Sequence, residues 1–284
     1  MRHLCHWLVL LTPVLFPSLA HAELLTFRSE VTQNEFTANI GGDLSFPKGS
    51  GPFPVVILLH PCGGLDAVAL TTLRAHSREL LSNGFATLIL DSYGPRNLMG
   101  GKACGGLGHR SVLVRQYELR RDDAFNAMAA LQRHANISKD NIFLVGLSDG
   151  ASAALLSAKG GPTDHFRAIA AYYPNCEKLL EGVGYVYKSP TIVFVGEKDD
   201  WSPPAECIKS VSPGVVTGAE FEVISYPNAY HGFDQPRPMR KVLGYTMAYD
   251  REATVGGRKR YIEFFIKNLT AELKAAPPFS GKAK

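Results

Sequence analysis

Six apolar-rich runs punctuate the chain, at residues 55–59, 86–90, 142–145, 168–173, 191–195 and 222–226. The first reads Val-Val-Ile-Leu-Leu. Short runs with little polar alternation predict strands buried on both faces of a sheet. Helix-length segments separate most of them. Residues 71–83 end at Gly84, a helix-stop signal. Residues 111–134 carry Leu119, Asp123, Phe125, Met128 and Leu131 with amphipathic spacing. Residues 250–274 place Tyr261, Phe264, Phe265 and Leu269 on one face, with Gly256-Gly257 weakening the middle and Pro277-Pro278 closing the helix. Ahead of the first run the pattern differs. Residues 25–29, 36–40 and 43–46 are short, polar and alternating, and predict antiparallel strands, the last two joined by a turn at Gly41-Gly42.

Strands alternating with helices predict an α/β protein: a doubly wound, mostly parallel sheet with antiparallel N-terminal strands and helices on both faces. In such sheets the ligand crevice lies beyond the carboxyl ends of the strands. Functional residues are therefore expected just after each apolar run.

Composition narrows the class. The 284 residues are 45% hydrophobic and 20% charged, values of a globular protein, with a formal charge of +4. Arg120-Arg121 and Arg258-Lys259-Arg260 are short basic clusters that read as solvated helix faces, and no basic stripe points to nucleic acid. The N-terminus has Arg2, an apolar run from Trp7 to Leu11 and on to Phe16, and the Ala20-His21-Ala22 cleavage pattern. This predicts a signal peptide over residues 1–22, a mature chain from Glu23, and an exported protein, periplasmic or secreted, with no membrane attachment afterwards. One domain is expected over residues 23–276, followed by a basic, flexible tail over 277–284. Cys5 leaves with the signal peptide. The remaining Cys62, Cys104, Cys176 and Cys207 allow three pairings in an oxidising compartment. Their positions after neighbouring strands favour Cys62–Cys104 and Cys176–Cys207. No metal-ligand spacing appears, and no metal, cofactor or obligate protein partner is expected.

The chemistry-bearing residues sit where the crevice is expected. The third run leads into Gly146-Leu147-Ser148-Asp149-Gly150 and then a small-residue helix. This G-x-S-x-G between strand and helix puts a serine on a strained turn with its hydroxyl projecting into the crevice. A serine needs a base, and the base an orienting carboxylate. His231, just after the sixth run, is the one histidine downstream of the acid candidates. The loop after the fifth run, residues 196–204, offers Asp199 and Asp200; the loser is expected to cap the helix after Pro203. The oxyanion needs two amides. Asp149 follows the nucleophile, and Cys62 is the first N–H after Pro61 in His60-Pro61-Cys62-Gly63-Gly64. His60 is expected to be a buried strand-end residue bonded to backbone. Arg96, Trp201 and Arg237 are candidate substrate contacts, the arginines for a carboxylate and the tryptophan as an apolar wall.

Gly146 to Gly150, Gly196 to Pro203 (G-E-K-D-D-W-S-P) and Tyr230 to Phe233 (Y-H-G-F) together resemble the dienelactone hydrolase family of the α/β-hydrolases. The resemblance runs from about Phe36 to Leu269. It implies a small-molecule ester or lactone as substrate, Asp199 rather than Asp200 as the acid, His231 as base and Cys62 as an oxyanion donor. Where the family carries a cysteine nucleophile this chain has Ser148, which suits general carboxylic ester hydrolysis through an acyl-enzyme. A non-catalytic binding protein, a peptidase and an acyltransferase on the same fold stay open on the residues alone.

Overall fold

The computed structural model describes residues 22–31, 36–98, 104, 110–161, 164–179 and 185–280. Apart from Ala22, the expected signal peptide lies outside the described residues. In chain order the strands are β1 (Ala22–Ser29), β2 (Ala38–Ser45), β3 (Phe53–Leu59), β4 (Ala86–Asp91), β5 (Ile137–Leu147), β6 (Ile169–Tyr172), β7 (Tyr185–Tyr187), β8 (Thr191–Gly196), β9 (Val216–Gly218), β10 (Phe221–Tyr226), β11 (Arg240–Val242) and β12 (Tyr245–Met247). The helices are α1 (Ala67–Ser82), α2 (Arg110–Leu131), α3 (Asp149–Ser157), α4 (Cys176–Leu179), α5 (Ala205–Lys209), α6 (Arg251–Asn268) and α7 (Ala271–Ala275). Among the described residues no helix is long and apolar enough to cross a membrane.

Eight strands form one sheet in the order β1-β2-β4-β3-β5-β6-β8-β10. The β1–β2 and β2–β4 pairs are antiparallel and the rest are parallel. Alternation along the central strands, with both faces covered, explains why the runs are so largely apolar. Val55, Ile57 and Leu59 of β3 join a core with α2 and α3, while Val56 and Leu58 join another with α1 and α6. Full burial of each such side chain contributes about 1.5–3 kcal/mol.

Three local expectations are corrected. Gly41-Gly42 is not a turn; β2 runs straight through it. A Cβ at Gly41 would stand 2.3 Å from the Leu25 carbonyl oxygen, and one at Gly42 2.0 Å from that of Ile89. The glycines let neighbouring strands close in from either side. Gly256-Gly257 does not weaken α6: a Cβ at Gly257 would meet the Tyr172 hydroxyl at 2.9 Å, so the helix uses the missing side chain to lie against the sheet. The closing helix is also two helices rather than one. Asn141 accepts from the Thr270 amide at 2.9 Å and donates to its hydroxyl at 3.1 Å, and the chain turns there into α7. Pro278 and Phe279 pack onto the body, with the Phe279 ring 5.2 Å from that of Phe85.

Disulfides join Cys62 to Cys104 and Cys176 to Cys207. The second ties α4 to α5, beyond the ends of β6 and β8. The first holds the loop after β3.

Candidate active site

The carboxyl ends of β3, β5, β8 and β10 release four loops onto one rim. At the end of β5 the chain turns sharply into α3, and Ser148 at the turn has φ +54°. Such a conformation is strained for a residue with a Cβ. It is held by the Ser148 amide donating to the Tyr172 carbonyl at 2.9 Å. Gly146 and Gly150 make the turn possible: a Cβ at 146 would lie 2.1 Å from the Gly150 carbonyl oxygen, and one at 150 2.6 Å from that of Leu59.

The Ser148 hydroxyl is 2.8 Å from His231 Nε2, and His231 Nδ1 is 2.8 Å from Asp199 Oδ2. The other Asp199 oxygen accepts from the Trp201 and Ser202 amides at 2.9 and 2.7 Å. The carboxylate is thus aimed by its own loop. His231 and Asp199 are buried, whereas Ser148 reaches solvent. Tyr173 meets the imidazole edge-on at 4.8 Å and Trp201 lies over it at 5.0 Å. An oriented base next to a hydroxyl that reaches solvent is an arrangement able to activate that hydroxyl as a nucleophile.

Asp200 points elsewhere. It accepts from the Thr246 amide and hydroxyl at 2.7 and 2.9 Å and stands 3.5 Å from the Lys241 ammonium. Partial burial opposes its ionisation, but the Thr246 hydrogen bonds and the lysine hold its carboxyl below the usual range. It does not cap the helix after Pro203, as expected of the unused aspartate. It anchors the β11–β12 hairpin, which carries one wall of the cleft.

The cleft at Ser148 is lined by Cys62, Cys104, Trp201, Arg237, Arg240 and Met247, among others. Trp201 stacks on Tyr245 of the hairpin at 5.2 Å. Arg96 is the exception among the expected contacts. Its side chain is buried, grips Asp123 at 2.7 and 2.8 Å, and donates to the Phe36 and Ser92 carbonyls. Its guanidinium is taken up by these partners, and Arg96 is not among the described residues that line the cleft, so it is structural.

Sequence reasoning missed Arg240, Tyr93 and Arg120. Nothing local marks Arg240, because the hairpin reaches the cleft through tertiary contacts, its anchor at Asp200 and the Trp201–Tyr245 stack among them. The Arg120-Arg121 cluster is not a solvated face: Arg120 is fully buried beneath the Ser148 turn, against Asp149. Its spacing from Tyr117 and Ala124, three residues before and four after, places it on the core side of α2, a signal legible in advance. His60 is buried at the strand end, with Nδ1 2.7 Å from the Pro61 carbonyl. His76 is likewise buried, with Nε2 2.8 Å from Asp234 and Nδ1 3.2 Å from the Tyr261 hydroxyl.

Burial holds the pKa of both imidazoles below the ordinary histidine value; at His60 the Arg120 charge adds to it, and at His76 burial outweighs the Asp234 hydrogen bond. Unfolding frees both to take up protons near pH ~6.5. Below that pH the unfolded chain binds more protons than the folded one, so stability falls as pH falls. Their contribution is whole above about pH 6.5 and shrinks beneath it, each imidazole adding a slope approaching about 1.4 kcal/mol per pH unit. Urea denaturation is expected to show a lower midpoint at pH 5.5 than at pH 7.5; equal midpoints would contradict the neutral, buried pair.

The family model of the dienelactone hydrolase family matches residues 40–269. Over 63 residues the chain is 43% identical to esterase FrsA of Escherichia coli, a match covering 21% of this chain and 14% of that protein. The chain therefore spans only a small part of the curated relatives it matches. Among solved structures, a dienelactone hydrolase from Anabaena variabilis superposes with a TM-score of 0.57 at 18% identity, covering 87% of this chain and 98% of the other. Esterase 2 of Thermogutta terrifontis does so with a TM-score of 0.57 at 15% identity, covering 86% and 94%. At these identities the two superpositions speak to the fold.

Proposed function

Because the chain belongs to the dienelactone hydrolase family, we propose that it hydrolyses carboxylic esters or lactones through an acyl-enzyme on Ser148. The observation that carries this reading is the unbroken chain of hydrogen bonds from Ser148 through His231 to Asp199, both links 2.8 Å. Asp199 keeps the proton on His231 Nδ1 and leaves Nε2 free to accept. His231 then takes the Ser148 proton as the oxygen attacks the substrate carbonyl, and Asp199 offsets the imidazolium charge. The amides of Cys62 and Asp149 hold the oxyanion. His231 returns the proton to the leaving alcohol, and water completes the cycle by the same route.

The substrate we favour carries an acid group. Arg237 and Arg240 both line the cleft, against Asp66 alone of opposite charge among its described lining residues. Arg240 is held by Gln235 at 3.0 Å, whereas Arg237 is exposed at the mouth. The export expected from residues 1–22 is supported by the two disulfides, which persist in oxidising compartments.

The test is a fluorophosphonate probe with peptide mapping, together with turnover of matched p-nitrophenyl esters, one neutral and one bearing a terminal carboxylate. Labelling at Ser148 and turnover of both esters, with the lower KM for the acidic one, is the expected result. A serine that stays unlabelled, with no ester turned over, sinks the enzymatic reading and leaves a binding protein. Equal KM values sink the acid preference alone.

A further inference from the structure

Beneath the nucleophile turn lies a buried charge network that the proposed chemistry leaves unused. Arg120 rises from α2 with no exposed surface. Its Nη1 donates to Asp149 Oδ2 at 3.1 Å, and its Nη2 donates to the His60 carbonyl. The Tyr93 hydroxyl donates to the same Asp149 oxygen at 2.7 Å, and the guanidinium lies over the Tyr93 ring at 4.9 Å. One side chain therefore grips two segments distant in sequence: the end of β3 and the first turn of α3. These are the segments that carry the two amides assigned to the oxyanion.

The grip reaches the first amide through peptide planarity. The Pro61 carbonyl accepts from His60 Nδ1 at 2.7 Å and from the Gly64 amide at 3.1 Å. Nδ1 therefore carries the proton, and Arg120 Nη2, 3.3 Å away, is its neighbour rather than its donor. The Pro61–Cys62 peptide is not among the cis bonds of the chain. In a planar trans peptide the N–H points opposite the carbonyl. Holding the Pro61 oxygen thus sets the direction of the Cys62 N–H. Arg120 fixes the His60 backbone from behind, and burial, with the Arg120 charge adding to it, holds the His60 pKa below the ordinary histidine value. At the second segment the same guanidinium seats the Asp149 carboxylate, and with it the residue whose amide follows the nucleophile.

We propose that Arg120 is a positioning residue that keeps both oxyanion amides, of Cys62 and Asp149, in one fixed relation; this rests on the serine-hydrolase reading above. A planar fork is suited to bridging two acceptors, and a lysine, a single point donor, is not. Stability alone does not call for a buried ion pair here, since apolar replacements of such pairs are often neutral or better.

The experiment uses the whole protein and two variants. R120K keeps a charge opposite Asp149 but loses the fork. R120M/D149N removes both charges, so no unpaired ion is left in the core, and Tyr93 still has an oxygen to donate to. In each, kcat for p-nitrophenyl acetate is expected to fall about 10²-fold, as when an oxyanion donor is lost. KM should stay within about threefold, as for an interaction made chiefly in the transition state. Affinity for a trifluoromethyl ketone, which forms a tetrahedral oxyanion on the serine, should fall in step with kcat/KM, while that for an unreactive carboxylate competitor should hold. Either variant folded and with native kcat overturns the inference, as does a loss appearing only in the thermal midpoint. A wild-type protein without ester turnover fails at the earlier step and takes both readings down together.

Discussion

Ser148→Ala is expected to lower kcat on an activated ester by about 10⁵- to 10⁶-fold, with the protein still folded. The size follows from the oxygen removed. Without Oγ no acyl-enzyme forms, and His231 has no adjacent proton to take. The residual rate comes from water attacking a substrate held by the oxyanion amides and the cleft. Folding should survive for equally local reasons. The strained φ of +54° is held by the Ser148 amide on the Tyr172 carbonyl and by the flanking glycines, and alanine keeps all three. The hydroxyl itself bonds to His231. The measurement is steady-state turnover beside a thermal melt. Activity within tenfold of wild type, on protein free of a contaminating esterase, would remove Ser148 from the mechanism.

Asp199→Asn is expected to cost about 10⁴-fold in kcat, whereas Asp200→Asn should leave kcat within about threefold and raise KM. The asymmetry comes from hydrogen-bond polarity. Asp199 Oδ1 accepts from two backbone amides, of Trp201 and Ser202. In an asparagine the carbonyl oxygen must take that place, because an NH2 group would face two donors. The NH2 is then forced toward His231 Nδ1, which must give up its proton to accept. The proton moves to Nε2, and the imidazole meets Ser148 as a donor, unable to act as base. Asp200 has no path to the imidazole; its oxygens hold Thr246 and Lys241 on the hairpin that bears Arg240 and Val242. Loosening that wall alters how substrate sits. Parallel kinetics on the two variants decide the matter, and a larger kcat loss in the Asp200 variant would overturn the assignment.

Much of this architecture is visible in the chain before folding. Strands buried on both faces leave apolar runs, and those at 55–59, 86–90, 142–145 and 191–195 fall within β3, β4, β5 and β8. The parallel sheet implied that loops after these runs share a rim, which placed Ser148, His231 and the 199–200 pair in one neighbourhood. The residues themselves did not separate Asp199 from Asp200. Adjacent carboxylates on one loop look alike until the loop's amides capture one of them, and only the family pattern favoured Asp199.

What the chain determined alone is periodicity: which segments are strands, which are helices, and that a serine sits on a turn between them. Tertiary structure decided everything that depends on a distant partner. Gly41-Gly42 looks like a turn until the neighbouring strands press on it from both sides. Arg96 and Arg120 carry the same charge, and both side chains are buried. One is paired with Asp123 beside β1, and the other spans His60 and Asp149 under the Ser148 turn. The physical reason is range: side-chain spacing along a helix or strand reports burial, while the identity of the group across the contact is set by elements tens of residues away.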